Sequence, residues 1–307
     1  MDVKENIDWN KPVVSVRCTV YNHAKYLRQC LDGFIMQETT FPFEVIVHDD
    51  ASTDNSASII REYANKYPYI IKPIFQTENQ YSKHDGSISK HLRAATSPFA
   101  KYFAICEGDD YWIDPLKLQK QVDFLENNPQ YGLTFGKVKQ YVQDKGIFKN
   151  KYFGKDVSSV EALFISNTIP TPTILLRRDL LENYNQEIEN KEWLAGDYPL
   201  WLYISMYSKL HFFNEVFAVY RILSNSASHS TDIEKRERFI KSIYEMKCFF
   251  NDKYSIINSD KFSDLLYIPL FNNAYSFKSK KRISFYYKKI KQKSWKIFIK
   301  RVISFLN

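Results

Sequence analysis

The sequence predicts an α/β protein: a mainly parallel sheet flanked by helices, followed by a helical C-terminal extension. Three observations predict it. Apolar, β-branched runs alternate with helix-period segments through the first 130 residues, the pattern of parallel strands joined by right-handed crossovers. Two of the four strands in that stretch end in paired aspartates, Asp49-Asp50 and Asp109-Asp110. Beyond about residue 230 the strand pattern stops and only helical spacing remains. With 307 residues, 44% apolar and 16% aromatic, the chain has the material for a sizeable core.

Each element has its own reason. Val13 to Val20 is an apolar, β-branched run and reads as a buried strand. Asn22 then offers a cap to a helix whose Tyr26, Leu27, Cys30, Leu31 and Phe34 share one face. Phe43 to His48 is a second strand that runs into Asp49-Asp50-Ala51-Ser52-Thr53-Asp54, with Asp54 as the N-cap of the next helix. Ile70 to Phe75 is a third strand, 77–86 a polar loop, Ser87 to Ala95 a short helix, and Lys101 to Cys106 a fourth strand ending at Glu107-Gly108-Asp109-Asp110. Pro115 opens a helix patterned by Leu116, Leu118, Val122 and Leu125. From Tyr131 to Phe153 the pattern is strand-like, with a hairpin at Asp144-Lys145-Gly146. Ser158 to Ile165 reads as a short helix, Pro170 to Leu176 as an extended segment entering a strand, and Trp193 to Tyr207 as a helical stretch holding Asp197. Val216 to Ile222 reads as a strand, and a long charged helix runs from about Asp232 to Asn251.

The formal charge of +8 is unevenly placed. Eleven basic residues and no acidic one lie between Lys278 and Arg301, so positions 1–277 carry about −3. A basic nucleic-acid groove is therefore excluded for the body, and no nucleic-acid partner is expected. Cys18, Cys30, Cys106 and Cys248 form no CxxC, against a zinc site or disulfide framework and in keeping with a reducing compartment. No signal-peptide pattern opens the sequence and no run reaches a membrane span. The expected location is cytoplasmic, with peripheral contact to the inner face of the cell membrane. Neither GxGxxG nor GxxxxGKS/T occurs among the 8 glycines.

In a parallel sheet, ligands bind beyond the carboxyl ends of the strands. Both aspartate pairs therefore point into one crevice. Four carboxylates there repel one another unless a cation or donors intervene. A hard divalent ion fits, because Mg²⁺ and its like bind one or two carboxylates and complete their shell with substrate phosphates. Asp54 needs no such role, since a cap explains it. His48 reads as strand-end packing and His23 as a helix-start residue. In the loop before the fourth strand, Gln80, Lys83, His84, Lys90 and Arg93 are polar donors with no single choice among them.

Three segments resemble family 2 glycosyltransferases. Val14-Ser15-Val16 with Thr19-Val20-Tyr21-Asn22 is similar to the family's first strand. Val45-Ile46-Val47-His48-Asp49-Asp50-Ala51-Ser52-Thr53-Asp54 is similar to its DDxSxD segment. Glu107-Gly108-Asp109-Asp110-Tyr111-Trp112 is similar to its DxD-type motif, and Pro115 to Gln121 continues the match. The resemblance is dense over 12–129 and thin afterwards. It implies a GT-A fold (Rossmann-like) and transfer of a sugar from a nucleotide donor, UDP-linked, with inversion. The implied acceptor is a glycan or lipid-linked glycan of surface polysaccharide synthesis.

By position, the resemblance puts Thr19, Tyr21 and Asn22 at the nucleotide, Asp50 at the base, Asp109 at the ribose and Asp110 on a Mn²⁺ or Mg²⁺ ion. Gly196-Asp197 stands where the family carries its catalytic base, with Glu192 the second candidate. Gly196 would let backbone approach substrate, and Trp193 or Trp201 would stack on a sugar. Val219-Tyr220-Arg221-Ile222 and the segment to Ser230 resemble a later family segment, which implies Arg221 at a phosphate and His229 at the metal. Leu223-Ser224-Asn225 departs from the family there, which leaves a loop role for His229 equally open. The expected organisation is a GT-A domain over 1–230, with a nucleotide half 12–130 and an acceptor half 131–230, then a helical region 231–307. Two other classes stay open: a non-catalytic sugar-binding module, and a nucleotidyltransferase, against which the absence of a glycine-rich first loop speaks.

The basic tail interleaves charge with Ile283, Tyr286, Tyr287 and Ile290, then Trp295, Phe298, Ile299 and Val302, at helical spacing. A basic amphipathic segment with aromatics suits an anionic membrane surface. Packing of its apolar face on the domain is the other reading, and the sequence leaves both open.

Overall fold

The computed structural model describes residues 7–83, 85–188, 191, 193–224, 230–257 and 262–306. The chain divides into two units that interleave along the sequence. The first comprises 1–158, 168–192 and 200–221; the second comprises 159–167, 193–199 and 222–307.

The first unit is organised by a nine-stranded sheet. In chain order its elements are β1 (Val14–Val20), α1 (Ala24–Ile35), β2 (Phe43–Asp49), α2 (Ser56–Lys66), β3 (Ile71–Phe75), α3 (Ser87–Ala95), β4 (Tyr102–Ile105), β5 (Tyr111–Trp112), α4 (Lys117–Asn127), β6 (Tyr131–Val142) and β7 (Ile147–Phe148). After a short helix of the second unit, α5 (Val160–Ile165), come β8 (Leu175–Arg177), α6 (Arg178–Glu187), α7 (Tyr198–Tyr207) and β9 (Lys209–Ile222). The spatial order is β3-β2-β1-β4-β8-β6-β9-β5, with β7 beside β6. The pairs β2–β3, β1–β2 and β1–β4 are parallel, as the alternation predicts. From β4 outward the pairs β4–β8, β6–β8 and β5–β9 are antiparallel.

β1 and β2 are central, and nearly every residue of both is buried, hence their predominantly apolar, β-branched character. Val16, Val47, Leu31, Phe34, Ile60 and Leu118 form part of one core between sheet and helices. The hairpin falls where expected: a 3₁₀ turn over Gln143–Lys145 leads to Gly146 at φ 66°, a conformation that favours glycine. The segment 170–176 begins with a 3₁₀ turn at Thr171–Thr173 before β8.

The second unit is helical. It holds α5, α8 (Ile233–Tyr254), α9 (Asp264–Ser276), α10 (Lys280–Lys289) and α11 (Trp295–Leu306). Asp232 caps α8 by accepting from the amides of Glu234 and Lys235. Leu270, Phe271, Ala274, Ile283, Tyr286, Ile290 and Ile297 make its core. The face of α10 with Ile283 and Tyr286 thus packs inward, one of the two readings left open for the tail.

Candidate functional site

The carboxyl ends of β1, β2 and β4 lie side by side and are tied together. The Asp50 amide donates to Val20 O at 2.9 Å, Gly108 N donates to Thr19 O at 3.0 Å, and Gln76 N donates to Asp49 O at 2.9 Å. Both aspartate pairs therefore flank the end of β1, as the parallel topology requires.

Two residues at this edge, Asn22 and Ala51, hold left-handed φ angles of 56° and 59°. A Cβ makes that costly for Ala51, on the order of 1–2 kcal/mol. The loops after β1 and β2 are clasped together there. Asn22 Oδ1 accepts from the amides of Thr53 and Asp54, and Ser52 Oγ accepts from Asn22 N. In return, Asp54 Oδ2 accepts from Ala24 N at 2.9 Å and Ser56 Oγ accepts from His23 N at 3.0 Å. Asn22 therefore makes no cap for α1, contrary to the simple sequence reading. The first amides of α1 are satisfied by side chains of the neighbouring loop, because adjacent parallel strands end within reach of each other. Asp54 Oδ1 also accepts from Ser56 N at 2.9 Å, so one carboxylate serves the starts of both helices.

Asp50 is buried and accepts from Gln80 N at 2.6 Å and Tyr81 N at 3.0 Å. It thereby fixes the 3₁₀ turn Tyr81–Lys83. Each carboxylate oxygen retains a further acceptor site. Asp49 is also buried, and its Oδ1 has no partner among the described residues. His48 is fully buried beside Gln76 and stacks on His91 at 5.9 Å, and burial pushes its pKa down. Its place is packing, as predicted. Among the loop donors, Lys83 binds Gln80 Oε1 and Glu78, and Gln80 Nε2 donates to Glu78 O. His84 lies outside the described residues. Thr19 is half-buried and Tyr21 is 47% exposed at the end of β1.

Asp110 is 3% exposed, and its Oδ1 accepts from the main-chain amide of Arg221 at 2.7 Å. That amide lies 111 residues away in sequence and is delivered by register: β5 pairs Tyr111 with Val219 on β9. Burial, and then the adjacent Asp109 charge, raise the Asp110 carboxyl well above its ordinary value. Asp109 Oδ1 is buried with no partner among the described residues. Gly108 is required here, since a Cβ would sit 2.9 Å from both His23 Nδ1 and Val20 Cγ2. His23 stands at the α1 start as expected, its pKa lowered by burial against the pull of Asp109 and Asp54.

The Arg221 guanidinium is itself enclosed. It donates to Gln143 Oε1 at 2.9 Å and to Gln29 Oε1, and the Tyr26 and Tyr111 rings lie 5.0 Å from it. Its Nε is buried and unpartnered among the described residues. Behind the acidic loop, Trp112 is buried, donates to Pro172 O at 2.7 Å, and carries Lys117 Nζ 4.1 Å over its ring. Lys117, wholly buried, donates to Gln121 Oε1 at 2.8 Å. Sequence reasoning missed this support. The strand at 216–222 was legible, but nothing local tells which strand it pairs with.

In the second unit, Asp197 is half-buried on the connection immediately before α7. That connection is anchored within its own unit. Leu194 N donates to Ser242 Oγ, Trp193 packs on Phe249 and Phe250, and the Tyr198 hydroxyl donates to Leu163 O and Phe164 O. Gly196 has open space where a Cβ would be, so none of the described residues around it calls for glycine there. Trp201 is fully buried, which removes it as a sugar-stacking platform; its place in an apolar helix made it core. Glu192 and His229 lie outside the described residues.

Among the described residues no group of three or more His, Cys, Asp or Glu side chains is placed to hold a metal. Asp109 and Asp110 nevertheless suit a hard cation that takes one or two carboxylates and fills its shell from substrate. One of their oxygens is buried and has no partner among the described residues, and burial disfavours the charge of Asp110 until a cation compensates it.

The profile described as "Glycosyl transferase family 2" matches residues 15–184. An uncharacterized protein of Mycobacterium tuberculosis is 34% identical over 227 residues, 73% of this chain and 63% of that protein, so the chain spans under two thirds of that relative. The Escherichia coli UDP-Glc:alpha-D-GlcNAc-diphosphoundecaprenol beta-1,3-glucosyltransferase WfaP is 25% identical over 234 residues, 75% of this chain and 86% of that one. In structure, the mannosyltransferase PcManGT of Pyrobaculum calidifontis, solved with GDP-Man and Mn²⁺, superposes with a TM-score of 0.55 at 19% identity, over 83% of this chain and 68% of that one. The α/β architecture with paired aspartates at the ends of β2 and β4 is thus a GT-A fold, and the chain belongs to glycosyl transferase family 2.

Proposed function

We propose that the protein is an inverting glycosyltransferase that moves a sugar from a UDP-linked donor to a glycan or lipid-linked glycan acceptor during surface polysaccharide synthesis. The observation that carries this reading is the meeting of two aspartate pairs at the ends of β2 and β4, the parallel strands on either side of β1, with Asp109 Oδ1 buried and unpartnered among the described residues. In this reading Thr19, Tyr21, Asn22 and Asp50 receive the nucleoside and Asp109 the ribose. Asp110 holds Mn²⁺ or Mg²⁺, with His229 as a second contact. Arg221 positions Asp110 through its amide and adds positive charge on the diphosphate side. When bound, the ion neutralises charge on the departing diphosphate.

Asp197 is the proposed general base. It takes the proton of the acceptor hydroxyl as that oxygen bonds to the anomeric carbon and the diphosphate oxygen leaves from the opposite face. One displacement inverts the centre and needs no covalent adduct. WfaP supports a UDP donor and a diphospholipid-linked acceptor by its name, and the PcManGT complex supports a divalent ion while holding a GDP sugar. A lipid-linked acceptor places the enzyme in the cytoplasm at the inner face of the cell membrane. Among the described residues no helix is long and apolar enough to cross a membrane.

The test is a thermal-shift panel of UDP-, GDP- and dTDP-sugars with and without Mn²⁺, followed by assay of nucleoside diphosphate release. Asp110→Ala is expected to lose the metal-dependent shift. Asp197→Asn is expected to keep it and lose turnover. No shift with any donor would overturn the reading, and wild-type turnover by Asp197→Asn would remove the base assignment.

A further inference from the structure

The structure separates the two halves of the basic tail. The apolar side of α10, with Ile283 and Tyr286, is buried in the second unit's core. The apolar side of α11 is not. Trp295 is 72% exposed, Phe298 44%, Ile299 37%, Val302 41% and Ile303 39%. These positions follow an i, i+3, i+4, i+7, i+8 spacing, one continuous stripe of a helix. Among the described side chains, the inward side of α11 carries only Ile297 in the core, with Lys300 donating to Asn272 Oδ1 at 2.7 Å and the Arg301 guanidinium 4.2 Å from the Tyr287 ring. A helix packed for a water-facing surface has the opposite arrangement.

This orientation is fixed rather than incidental. The buried carboxylate of Asp264, at the start of α9, accepts from the amides of Lys291 and Gln292 in the α10–α11 connection, at 2.8 and 2.7 Å. Along one margin of the stripe lies a groove of about 680 Å³ between α9 and α11, lined by Asn272, Lys293, Lys296, Ile297 and Lys300 among others. Among the described residues no acidic side chain lines it. A flat apolar stripe bordered by lysines, with a tryptophan at one end, has the chemistry of a bilayer interface: acyl chains against the stripe, phosphate headgroups against the lysines.

We infer that α11 docks the protein on an anionic phospholipid bilayer, inserting Trp295, Phe298, Ile299, Val302 and Ile303 while the groove of Lys293, Lys296 and Lys300 receives lipid phosphates. This deepens the membrane placement proposed above. It uses only residues of the second unit, so its failure leaves the donor-binding result untouched, and the converse also holds.

The test is co-sedimentation of the full chain with vesicles of phosphatidylcholine alone or mixed with phosphatidylglycerol, with size measured by light scattering. The wild type is expected to pellet with the anionic vesicles, less so in high salt, and to stay in solution with neutral ones. The pair Phe298→Glu/Val302→Glu is expected to weaken binding on the order of 100-fold, and Lys296→Glu on the order of 10-fold. Phe298→Gln is a milder variant in case the pair disturbs folding, which circular dichroism reads. Wild-type protein remaining in solution with anionic vesicles would overturn the inference. So would unchanged binding by both stripe variants, or equal binding to neutral vesicles. A wild-type dimer that the stripe variants convert to monomer, without vesicle binding, would assign the stripe to a second copy of the chain instead.

Discussion

Replacing Asp54 by alanine removes the acceptor for two helix-start amides at once, Ala24 N and Ser56 N, both at 2.9 Å. Losing a capping acceptor costs about 0.5–2 kcal/mol. Asp54 is exposed, so water replaces part of each bond, and about 2 kcal/mol in total is expected at pH 7. For a unit of this size that lowers the melting midpoint by roughly 4–8 °C. The effect has a pH signature. Burial pushes the Asp54 carboxyl up, but the Ser56 hydroxyl and the amides of Ala24 and Ser56 outweigh it, and the net shift is downward from the ordinary value of 3.8. A carboxyl with a lowered folded pKa contributes its stability above 3.8, and loses it as pH falls through the folded value. The gap between wild type and Asp54→Ala should therefore be full at pH 7 and close as the pH falls below 3.8. Asp54→Asn, with a single acceptor oxygen, should lose about half as much. Thermal melts by circular dichroism at both ends of that range read all three. Equal midpoints at pH 7, or a gap that persists in acid, would refute the clasp.

Asp110→Asn should melt higher than wild type at pH 7 without divalent ions. A carboxyl raised by burial and by Asp109 costs stability as pH climbs through its folded value, and the gain should vanish at acid pH below 3.8. Gly33→Ala places a Cβ 2.9 Å from Trp112 N and is expected to cost about 1–3 kcal/mol in urea unfolding, with a change in near-ultraviolet circular dichroism. Burial lowers Lys117 from 10.5 to about 7, so its charge costs stability increasingly as pH falls from 10.5 to about 7. The melting difference between Lys117→Met and wild type should move in the variant's favour across that window.

β1, β2 and β4 were legible because burial leaves them mostly apolar and β-branched, β3 because Ile71, Ile74 and Phe75 stand out even at the sheet edge, and the aspartates were legible because they follow the β2 and β4 runs closely. Asp50, Asp109 and Asp110 could be named as candidates on that ground, whereas Thr19 entered only through the family resemblance. The clasp between Asn22 and Asp54 could not, because each has a complete local explanation as a cap and the bond that counts is between loops. β5 is two residues long and takes its form from β9. α6 is rich in polar residues and has only Leu181 buried, so few apolar positions mark it as facing the core. The outward stripe of α11 has the same sequence spacing as an inward one; only the partners of Ile297, Lys300 and Arg301 reveal which way the helix faces.

The bond from Arg221 N to Asp110 also bears on how the protein forms. Parallel strands β1 to β4 bring together residues within the first third of the chain, yet the acidic loop after β4 gains its fixing amide only from β9. Closure over so long a separation is slow compared with local pairing. During synthesis the sheet can assemble early, while the carboxylate keeps its solvated freedom until residue 221 has left the ribosome. The acidic loop is therefore among the last parts of the first unit to mature, and a chain cut short before β9 would carry the motif without its fixed geometry.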